Sequence, residues 1–372
     1  MKKKIRIVLT GGHAGTTALA TIEELLRRTD KFEWEIYWIG PDKALEGSRI
    51  PSLESKVFPK LGVFFHPIIA GRLQRNFTIW TIPSLMKVPI AFFHAVYHIF
   101  KIKPKVILSF GGYASLPIVI IGFLYRIPIV VHEQTAAAGL ANRMSALFAK
   151  KIALARRSSL DFFPNIKTVV VGNPVLSQVL EVSPKKNISS PPVLFVTGGS
   201  RGSSRINKTL DKILESILEV FVVIHLTGEN DFEYFSERKK HLAPNINSRY
   251  EVRDFVDPMQ IDNIYRMSDI IIGRSGANTI SEINIVGRPA VLIPISWVQH
   301  NEQLKNAKIL EKSGLALIIE EKDMNPDKLF KKILFCLKSW KDMANKGDAD
   351  ISNLDKKASE KLVDIVLEIL KK

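Results

Sequence analysis

Four glycine-containing turns are the segments of this sequence whose residue types and spacing suggest chemistry most directly. They follow short apolar runs and read Gly11-Gly12, Gly111-Gly112, Gly198-Gly199 with Gly202, and Ser275-Gly276. Between a strand and a helix, such a turn lets backbone N–H groups approach a phosphate, and the helix N-terminus adds a partial positive charge. A single turn of this kind is more often an ordinary connection, but four at the carboxyl ends of predicted parallel strands indicate a phosphate-bearing ligand.

The segment Gly273–Glu282 carries the most specific pattern, although no turn is a P-loop or a full dinucleotide fingerprint. Ser275 can cap a helix whose first amides suit a pyrophosphate. Glu282 lies two turns further along and can accept hydrogen bonds from both hydroxyls of a ribose. The competing interpretation of Glu282 is a helix glutamate that faces solvent.

Other polar side chains near these turns could bind sugar hydroxyls or move protons. Amides combine donors with acceptors and therefore suit a sugar; those after the last predicted strand are Gln299, Gln303 and Asn306. His13 in the first turn, and His132 and Glu133 after a predicted strand, are candidates for acid–base chemistry. Each of these side chains could equally be an ordinary polar residue of a turn or a helix start.

Alternating strands and helices must position these residues. The apolar runs that predict strands are Ile5–Leu9, Trp34–Ile39, Lys105–Phe110, Pro128–Val131, Val193–Val196, Phe221–Leu226, Asp269–Gly273 and Pro289–Pro294. Short runs with helical stretches between them indicate parallel sheets covered on both faces. Residues 7–17 and 195–204 open the two halves with the same strand, Thr-Gly-Gly turn and helix. The sequence therefore predicts an α/β protein of two Rossmann-like domains in tandem with a cleft between them.

The composition locates the boundary between these domains. Residues 181–192 are rich in proline, serine and lysine and offer little to bury. We expect an N-terminal domain over residues 1–176, a linker over 177–192 and a C-terminal domain over 193–372. The helical tail after residue 325 can pack back on the N-terminal domain.

Charge and cysteine content narrow the class of protein. The 372 residues carry a formal net charge of +16, which reflects either solvated lysine faces or an anionic partner. No zinc-finger spacing or RNA-binding aromatic signature accompanies the charge, which argues against nucleic acid as the partner. The single cysteine, Cys336, cannot form an internal disulfide, so a reducing, cytoplasmic setting fits.

Membrane contact is predicted at a surface rather than by a spanning helix. The basic N-terminus lacks the longer apolar region of a signal peptide, and Val88–Phe100 and Leu116–Val131 are too short or too interrupted to cross a bilayer. Between residues 71 and 93, aromatic and aliphatic residues are interleaved with basic ones, which suits an interface with anionic lipid. The residues expected to contact the membrane are Arg72, Arg75, Phe77, Trp80 and Lys87. The alternative is a core helix with a basic rim.

Six segments, in this order, resemble one known family. They are Ser109–Ser115, His132–Gln134, Val171–Val175, Gly198–Ser200, Arg274–Ala277 with Ser281-Glu282, and Gln303 with Asn306-Ala307. Together they resemble, nearly end to end, the MurG family of bacterial transferases. Those enzymes add N-acetylglucosamine from UDP-N-acetylglucosamine to undecaprenyl-linked muramyl-pentapeptide (lipid I) and so make lipid II. The resemblance implies a GT-B fold, inversion at the anomeric carbon, no cofactor or obligatory metal, and work at the cytoplasmic face of the membrane.

The same resemblance assigns roles to individual positions. Ser200 and Ser275 with Gly276 would face the donor pyrophosphate, and Glu282 would hold the ribose. The full donor set is Ser200, Arg274, Ser275, Gly276, Ala277, Glu282, Gln303 and Asn306. The acceptor set in the first half is Gly12, Gly15, Tyr113, Gln134 and Asn173.

This sequence departs from the family in the first glycine turn and at three later positions. The family motif Gly-Gly-Thr-Gly-Gly-His reads here Gly11-Gly12-His13-Ala14-Gly15-Thr16. Thr16 stands where the family has a histidine proposed as the catalytic base, and threonine cannot act as a base near neutral pH. The base is therefore sought in His13 or Glu133. The other departures are Thr135 for asparagine, Leu176 for arginine and Glu302 for one of two paired glutamines.

The altered first turn keeps other functions open. A non-catalytic homologue could bind a UDP-sugar or a lipid-linked precursor and organise partners. A transferase could act on another lipid. A nucleotide-sugar epimerase can share the two-domain architecture, but the lipid-facing segment argues against it.

Overall fold

The computed structural model describes residues 3–12, 14–29, 32–43, 51–71, 81–136, 138–199, 202–296 and 301–371, with backbone alone for Lys3 and residues 81–85. These residues form two compact units. One comprises Met1–Leu176 and Leu354–Lys372, and the other comprises Ser177–Asn353.

The first unit contains a parallel sheet of seven strands in the described residues. They are β1 (Lys3–Thr10), β2 (Phe32–Gly40), β3 (Phe64–Pro67), β4 (Val106–Ser109), β5 (Ile129–Glu133), β6 (Lys151–Leu154) and β7 (Thr168–Val170). The sheet order is β3-β2-β1-β4-β5-β6-β7. All four residues of β4 and all five of β5 are buried, as expected for inner strands that helices cover on both faces.

The helices around this sheet follow its strands. They are α1 (Gly15–Arg27), α2 (Leu53–Val57), α3 (Thr81–Ile102), α4 (Ser115–Leu124) and α5 (Leu140–Ser145). Short 3₁₀ helices lie at Phe58–Leu61, Arg157–Phe162 and Asn165–Lys167. None of the helices in the described part of the chain is long and apolar enough to cross a bilayer.

The second unit repeats the plan with six parallel strands among its described residues. They are β8 (Val193–Thr197), β9 (Val222–Leu226), β10 (Tyr250–Arg253), β11 (Ile270–Gly273), β12 (Ala290–Leu292) and β13 (Ala316–Ile318), in the order β10-β9-β8-β11-β12-β13. Its helices are α6 (Ser177–Leu180), α7 (Ser204–Asp211), α8 (Leu214–Val220), α9 (Glu229–Lys240), α10 (Pro244–Asn247), α11 (Ile261–Met267), α12 (Ala277–Val286), α13 (Glu302–Ser313), α14 (Pro326–Lys338) and α15 (Trp340–Met343). Among the described residues of this unit, 3₁₀ helices lie at Pro258–Gln260 and Glu321–Asp323.

Both sheets therefore wind outward from their first strand in two directions. The reversal lies between β1 and β4 in the first unit and between β8 and β11 in the second. All eight predicted strands are present, and the prediction of tandem Rossmann-like domains is confirmed. One detail differs: β5 continues to Glu133, so His132 and Glu133 end the strand instead of following it.

A buried ion pair joins the C-terminal residues to the rest of the first unit. The chain ends in α16 (Ala349–Lys356) and α17 (Ala358–Lys371), and α17 packs against α1. Arg156 donates to both carboxylate oxygens of Asp355, at 2.6 and 2.8 Å. The backbone N–H of Asn173 donates to the same carboxylate at 2.8 Å. Because all three residues are buried, this carboxylate fixes Asn173 as well as the start of the C-terminal segment.

We expect Asp355→Ala to destabilise the first unit strongly. The substitution removes the carboxylate that accepts hydrogen bonds from the buried Arg156 guanidinium and from the backbone N–H of Asn173. Removing one partner of a buried ion pair costs about 3–5 kcal/mol of unfolding free energy. Scanning calorimetry should show the loss as a lower melting temperature.

Asp364→Ala is the matched control. Asp364 pairs with Arg28 at 3.4 Å, but its side chain is 58% exposed, so we expect a change within about 1 kcal/mol. Equal effects of the two substitutions would contradict the role assigned to Asp355.

Candidate active site

Two glycine turns lie side by side at the reversal point of the first sheet. Thr10 is paired with Ser109 at the ends of β1 and β4, so the turns that follow them leave the sheet together. The N–H of Gly12 donates to the carbonyl of Gly111 at 2.8 Å. Gly112 has φ +88°, and a Cβ placed on it would lie 2.8 Å from the Cα and N of Gly12. Glycine is therefore required where the two backbones meet.

Several residues of the predicted acceptor site lie at or next to the start of α1, at this edge of the sheet. The N–H of Gly15 donates to the buried carboxylate of Glu54 at 3.0 Å. Thr16 lies in the first turn of α1, and the hydroxyl of Thr17 donates to Asn173 Oδ1 at 3.3 Å. The structure thus brings Gly15, Thr16 and Asn173 together, and Gly12 lies three residues before Gly15.

The carboxylate of Glu133 is held by four donors. Oε1 accepts from the N–H of Thr135 at 3.0 Å and from its hydroxyl at 2.7 Å. Oε2 accepts from the N–H of Gly139 at 3.0 Å and from Asn142 Nδ2 at 2.9 Å. These bonds fix the loop after β5, which begins with the half-buried Gln134. The arrangement gives Glu133 a role in shaping that loop.

His132 is neutral in this setting. It is fully buried, and burial lowers its pKa to about 4, although a hydrogen bond to the carbonyl of Gly172 partly opposes the shift. Tyr113 follows the glycine pair and packs, half-buried, against the core of the first unit.

The second unit repeats the arrangement of paired turns. Thr197 is opposite Gly273 at the ends of β8 and β11, so the turns after them also lie side by side. The two ends of the turn after β8 lie close together. A Cβ placed on Gly198 would lie 2.2 Å from the carbonyl carbon of Gly202. The end of this turn, Ser203, caps α7.

The buried side chain of Arg274 holds this pair of turns together by hydrogen bonds. Its guanidinium donates to the Ser203 hydroxyl at 2.8 Å and to the carbonyl of Ile293 at 3.0 Å. It also forms a buried ion pair with Glu321, whose Oε1 lies 2.5 Å from Nη2. The charge of Arg274 is therefore balanced within the protein, and its donors hold three chain segments together.

The predicted helix cap at Ser275 is wrong. Gly276 is the N-cap of α12 and makes no side-chain capping bond, while the Ser275 hydroxyl donates to the carbonyl of Gln303 at 2.8 Å. Asn306 Nδ2 donates back to the carbonyl of Ser275 at 3.2 Å. Ser275 is thus used to dock the start of α13. The amides that begin α12, from Ala277 on, face the turn without a side-chain cap among the described residues.

Gln303 belongs to the same cluster. Its side-chain Oε1 accepts from the N–H of Ile295 at 3.1 Å. The structure therefore brings Ser275, Gln303 and Asn306 together at the end of β11.

Glu282 is buried rather than exposed to solvent, which excludes the competing interpretation of this residue. Its side chain accepts a hydrogen bond from the Tyr265 hydroxyl at 2.7 Å, and the residue is 8% exposed. Burial raises the pKa of the Glu282 carboxyl to about 7, and the hydrogen bond from Tyr265 opposes that shift. A helix start without a side-chain cap and a buried carboxyl group two turns further along thus lie on one short segment.

Some predicted site residues lie outside the described residues. They are His13, Ser200, Gln299, Arg72, Arg75, Phe77 and Trp80. Lys87 is described and lies half-buried on α3. Within the described ranges, no group of three or more histidine, cysteine, aspartate or glutamate side chains could hold a metal ion.

The apolar surface on the first unit begins in the segment predicted to contact the membrane, residues 71–93, and continues beyond it. The exposed large apolar side chains described on α3 are Met86, Ile90, Phe93, Val96, Tyr97 and Phe100. Exposed apolar residues also end α4, at residues 123–125, and lie on and after α5 at Leu140, Met144 and Leu147. The spacing of three or four residues along α3 was a readable signal, because it places these side chains on one face of the helix. No sequence pattern indicated that Glu54 binds the N–H of Gly15, that Tyr265 binds Glu282 or that Glu321 pairs with Arg274.

We expect Gly112→Ala to destabilise the first unit by on the order of 2–4 kcal/mol, because it combines an unfavourable φ with a clash against the backbone of Gly12. Gly62→Ala is the control, since Gly62 has φ +77° but open space around its Cα. That substitution should cost only about 1 kcal/mol for the backbone conformation. Similar losses in the two melting curves would mean that the turns do not meet as closely as described.

Comparison with known proteins identifies relatives over nearly the whole chain. Residues 7–154 match the glycosyltransferase family 28 N-terminal domain, and residues 193–363 match its C-terminal domain. A protein of Thermoanaerobacter sp. (strain X514) is 31% identical over 97% of both chains. It is named UDP-N-acetylglucosamine–N-acetylmuramyl-(pentapeptide) pyrophosphoryl-undecaprenol N-acetylglucosamine transferase.

Solved structures agree on the fold. MurG of Acinetobacter baumannii has a TM-score of 0.66 at 22% identity and covers 98% of this chain and 99% of its own. The UDP-GlcNAc 2-epimerase of Neisseria meningitidis, solved with UDP-GlcNAc, has a TM-score of 0.60 at 12% identity and covers 98% of this chain and 100% of its own. Because the fold is common to a transferase and an epimerase, it does not decide between them.

The sequence relationship distinguishes the transferase from the epimerase. Both halves match the domains of family 28, and the matched relative spans nearly the full length of both chains. This chain, with its GT-B fold, therefore belongs to the MurG family of glycosyltransferases.

Proposed function

We propose that this chain is an inverting transferase that moves N-acetylglucosamine from UDP-N-acetylglucosamine to undecaprenyl-pyrophosphoryl-muramyl-pentapeptide. The product would be lipid II, a precursor of peptidoglycan. The observation that carries the proposal is the segment Arg274–Glu282, which combines a helix start without a side-chain cap and a buried carboxyl group. Both features suit a nucleotide diphosphate, and the Thermoanaerobacter relative is named for this reaction.

On the donor side, charge develops on the UDP leaving group as the bond to the sugar breaks. The amides that begin α12 and the glycine turn after β8 stabilise that charge, because preorganised dipoles act strongly in a site that excludes water. Ser200 would add a contact to the pyrophosphate. Glu282 accepts hydrogen bonds from the ribose hydroxyls, while Arg274, already paired with Glu321, holds the turns in place.

The sugar lies against the start of α13 in this proposal. Gln303 accepts from the N–H of Ile295 through its Oε1, which directs its NH₂ group elsewhere, and we assign that group to the sugar hydroxyls. Asn306 is buried and bonded to Ser275, so it orients the turn.

On the acceptor side, the hydroxyl of the muramyl sugar attacks the anomeric carbon and gives its proton to a base. Glu133 already accepts four hydrogen bonds, which favours a role in shaping the loop that carries Gln134. We therefore assign the base to His13. The paired turns of Gly12 and Gly112, with Gly15, Tyr113 and Asn173 around them, would receive the acceptor.

The exposed face of α3 is assigned to the cytoplasmic face of an anionic membrane. Phe93 is 75% exposed and Phe100 is 63% exposed, and a contiguous apolar surface of this kind marks a partner. Cations lie beside it: the ammonium groups of Lys101 and Lys103 are 5.5 Å from the Tyr97 ring and 5.7 Å from the Phe100 ring. Apolar insertion next to positive charge suits anionic headgroups. A nucleotide-sugar epimerase has no need of such a surface.

Purified protein should form UDP and a lipid-linked disaccharide from UDP-N-acetylglucosamine and a short-chain lipid I analogue. Glu282→Gln should weaken donor binding about 10- to 100-fold, because the ribose hydroxyls lose a charged acceptor. Glu237→Gln is the control, since Glu237 lies on the surface of α9 and pairs with Lys240 and His241. His13→Ala should abolish turnover and retain UDP binding, whereas Glu133→Gln should retain turnover.

The outcomes separate the competing functions. UDP binding without transfer to any lipid would favour a non-catalytic scaffold, and transfer to a different lipid alone would change the acceptor. Conversion of the donor to its epimer would replace the proposal with an epimerase. Full turnover by His13→Ala would remove His13 as the base.

The double change Phe93→Ser and Phe100→Ser should reduce co-sedimentation with anionic vesicles about tenfold or more, since burying a phenylalanine contributes about 1.5–3 kcal/mol. Phe335→Ser is the control, because Phe335 is 54% exposed on α14 of the other unit. Unchanged binding by the folded double variant, or an equal loss in the control, would refute the membrane assignment.

A further inference from the structure

Tyr265 provides a buried hydroxyl to the carboxyl group of Glu282. It lies on α11, which precedes β11, whereas Glu282 lies on α12, which follows that strand. The Tyr265 hydroxyl is 2.7 Å from Glu282 Oε2, and its ring packs edge-on against Phe195 of β8 at 6.0 Å between centroids. The ring is buried to 3% exposure, so the hydroxyl is held in one place.

This contact is not an ordinary way to fill a core. Burying a carboxyl group costs free energy unless its oxygens are hydrogen-bonded. Arg156 and Asn173 saturate the buried Asp355 in the first unit, and four donors saturate Glu133. Among the described residues, Tyr265 is the one hydrogen-bond donor found at Glu282. A buried carboxyl group with acceptor capacity to spare is suited to a ligand that brings its own donors.

We propose that Tyr265 is a positioning residue for the donor nucleotide: it holds Glu282 Oε2 so that the remaining acceptor sites of the carboxylate meet the 2′ and 3′ hydroxyls of the ribose. This inference rests on the donor site proposed above. It adds a residue that touches Glu282 and not the ligand, and it predicts how binding responds to pH.

The pH response follows from the protonation of Glu282. Burial raises its pKa to about 7, and the Tyr265 hydrogen bond favours the ionised form. Burial also raises the pKa of Tyr265 well above its usual value, so the hydroxyl stays a donor across the neutral range. Below the pKa of Glu282 the carboxyl group is protonated and loses acceptor capacity, so UDP affinity should fall as the pH falls through about 7. Removing the Tyr265 hydroxyl should move that fall to higher pH.

No other charged group acts on Glu282 in the described part of the chain. Glu282 is the sole titratable residue of α12, and α6, which packs against α12, has none. On α11, Asp262 and Arg266 pair with each other at 3.4 Å. The charged residues of α13, which also packs against α12, are Glu302, Lys305, Lys308, Glu311 and Lys312; of all these groups, only Tyr265 shifts the pKa of Glu282.

Isothermal titration with UDP and with 2′-deoxy-UDP, from about pH 6 to about pH 9, tests the proposal on three variants. Tyr265→Phe keeps the ring and should weaken UDP binding about tenfold at neutral pH, with near recovery at the alkaline end, because a hydrogen bond to a charged group is lost. It should also reduce the preference for UDP over 2′-deoxy-UDP. Glu282→Gln should bind weakly at every pH.

Tyr250→Phe is the matched control. Tyr250 is buried in the same unit, and its hydroxyl bonds to His225 Nδ1 at 2.7 Å, away from Glu282. The Tyr250→Phe variant should bind UDP with the same affinity as the unchanged protein, and that affinity should depend on pH in the same way.

Two results overturn the role of Tyr265. One is unchanged binding by Tyr265→Phe, and the other is a loss by the same factor at every pH, which a merely structural role would give. Failure of the donor site itself is a separate result: Glu282→Gln would then bind UDP as tightly as the unchanged protein.

Discussion

The in-register pairing of two strand ends is the constraint on which both halves of this molecule depend. Thr10 is opposite Ser109 in one sheet, and Thr197 is opposite Gly273 in the other. Each pairing forces two strand-to-helix turns to leave the sheet together, at the point where the winding direction reverses. Ligands of open α/β sheets bind at this point, because neighbouring connections run to opposite faces of the sheet and leave a crevice at the carboxyl ends of the strands. The glycines follow from this crowding, most clearly where Gly12 meets Gly112.

Buried charged groups in the described part of the chain differ in how many partners they have. Asp355, Glu133 and Arg274 each have several partners within their own unit and hold chain segments in place. Among the same residues, Glu282 has a single hydrogen-bond donor, and burial raises its pKa. The start of α12 likewise has no side-chain cap. The spare acceptor capacity and the helix start without a side-chain cap therefore lie on one segment of the second unit, which supports the nucleotide site proposed there.

The sequence predicted the parts of this fold that depend on local pattern. All eight predicted strands exist, because continuous buried apolar runs specify inner strands. The strands that were missed are β3, β6, β7, β10 and β13. Length does not separate the two groups, since β4, β11 and β12 were predicted and also have three or four residues each. Several of the missed strands carry polar or half-exposed residues, as β10 does in Tyr250–Arg253, so their pattern did not differ from that of loops.

Side-chain roles that depend on distant contacts could not be predicted. Ser275 has the residue type of a helix cap, but its hydroxyl bonds to a carbonyl of α13, which no local pattern reveals. The same holds for Glu54 on Gly15 and for Tyr265 on Glu282, whose partners lie on separate elements. Whether Glu282 faces solvent could be decided only from its burial in the structure. The sequence showed only that it lies two turns into a helix.

The measurement that tests the account most directly is a crystal structure of this protein with UDP. The account predicts the diphosphate against the first amides of α12 and the turn after β8, with both ribose hydroxyls within hydrogen-bonding distance of Glu282. UDP bound instead at the glycine pair of the first unit, with the Glu282 carboxyl group unoccupied, would contradict it.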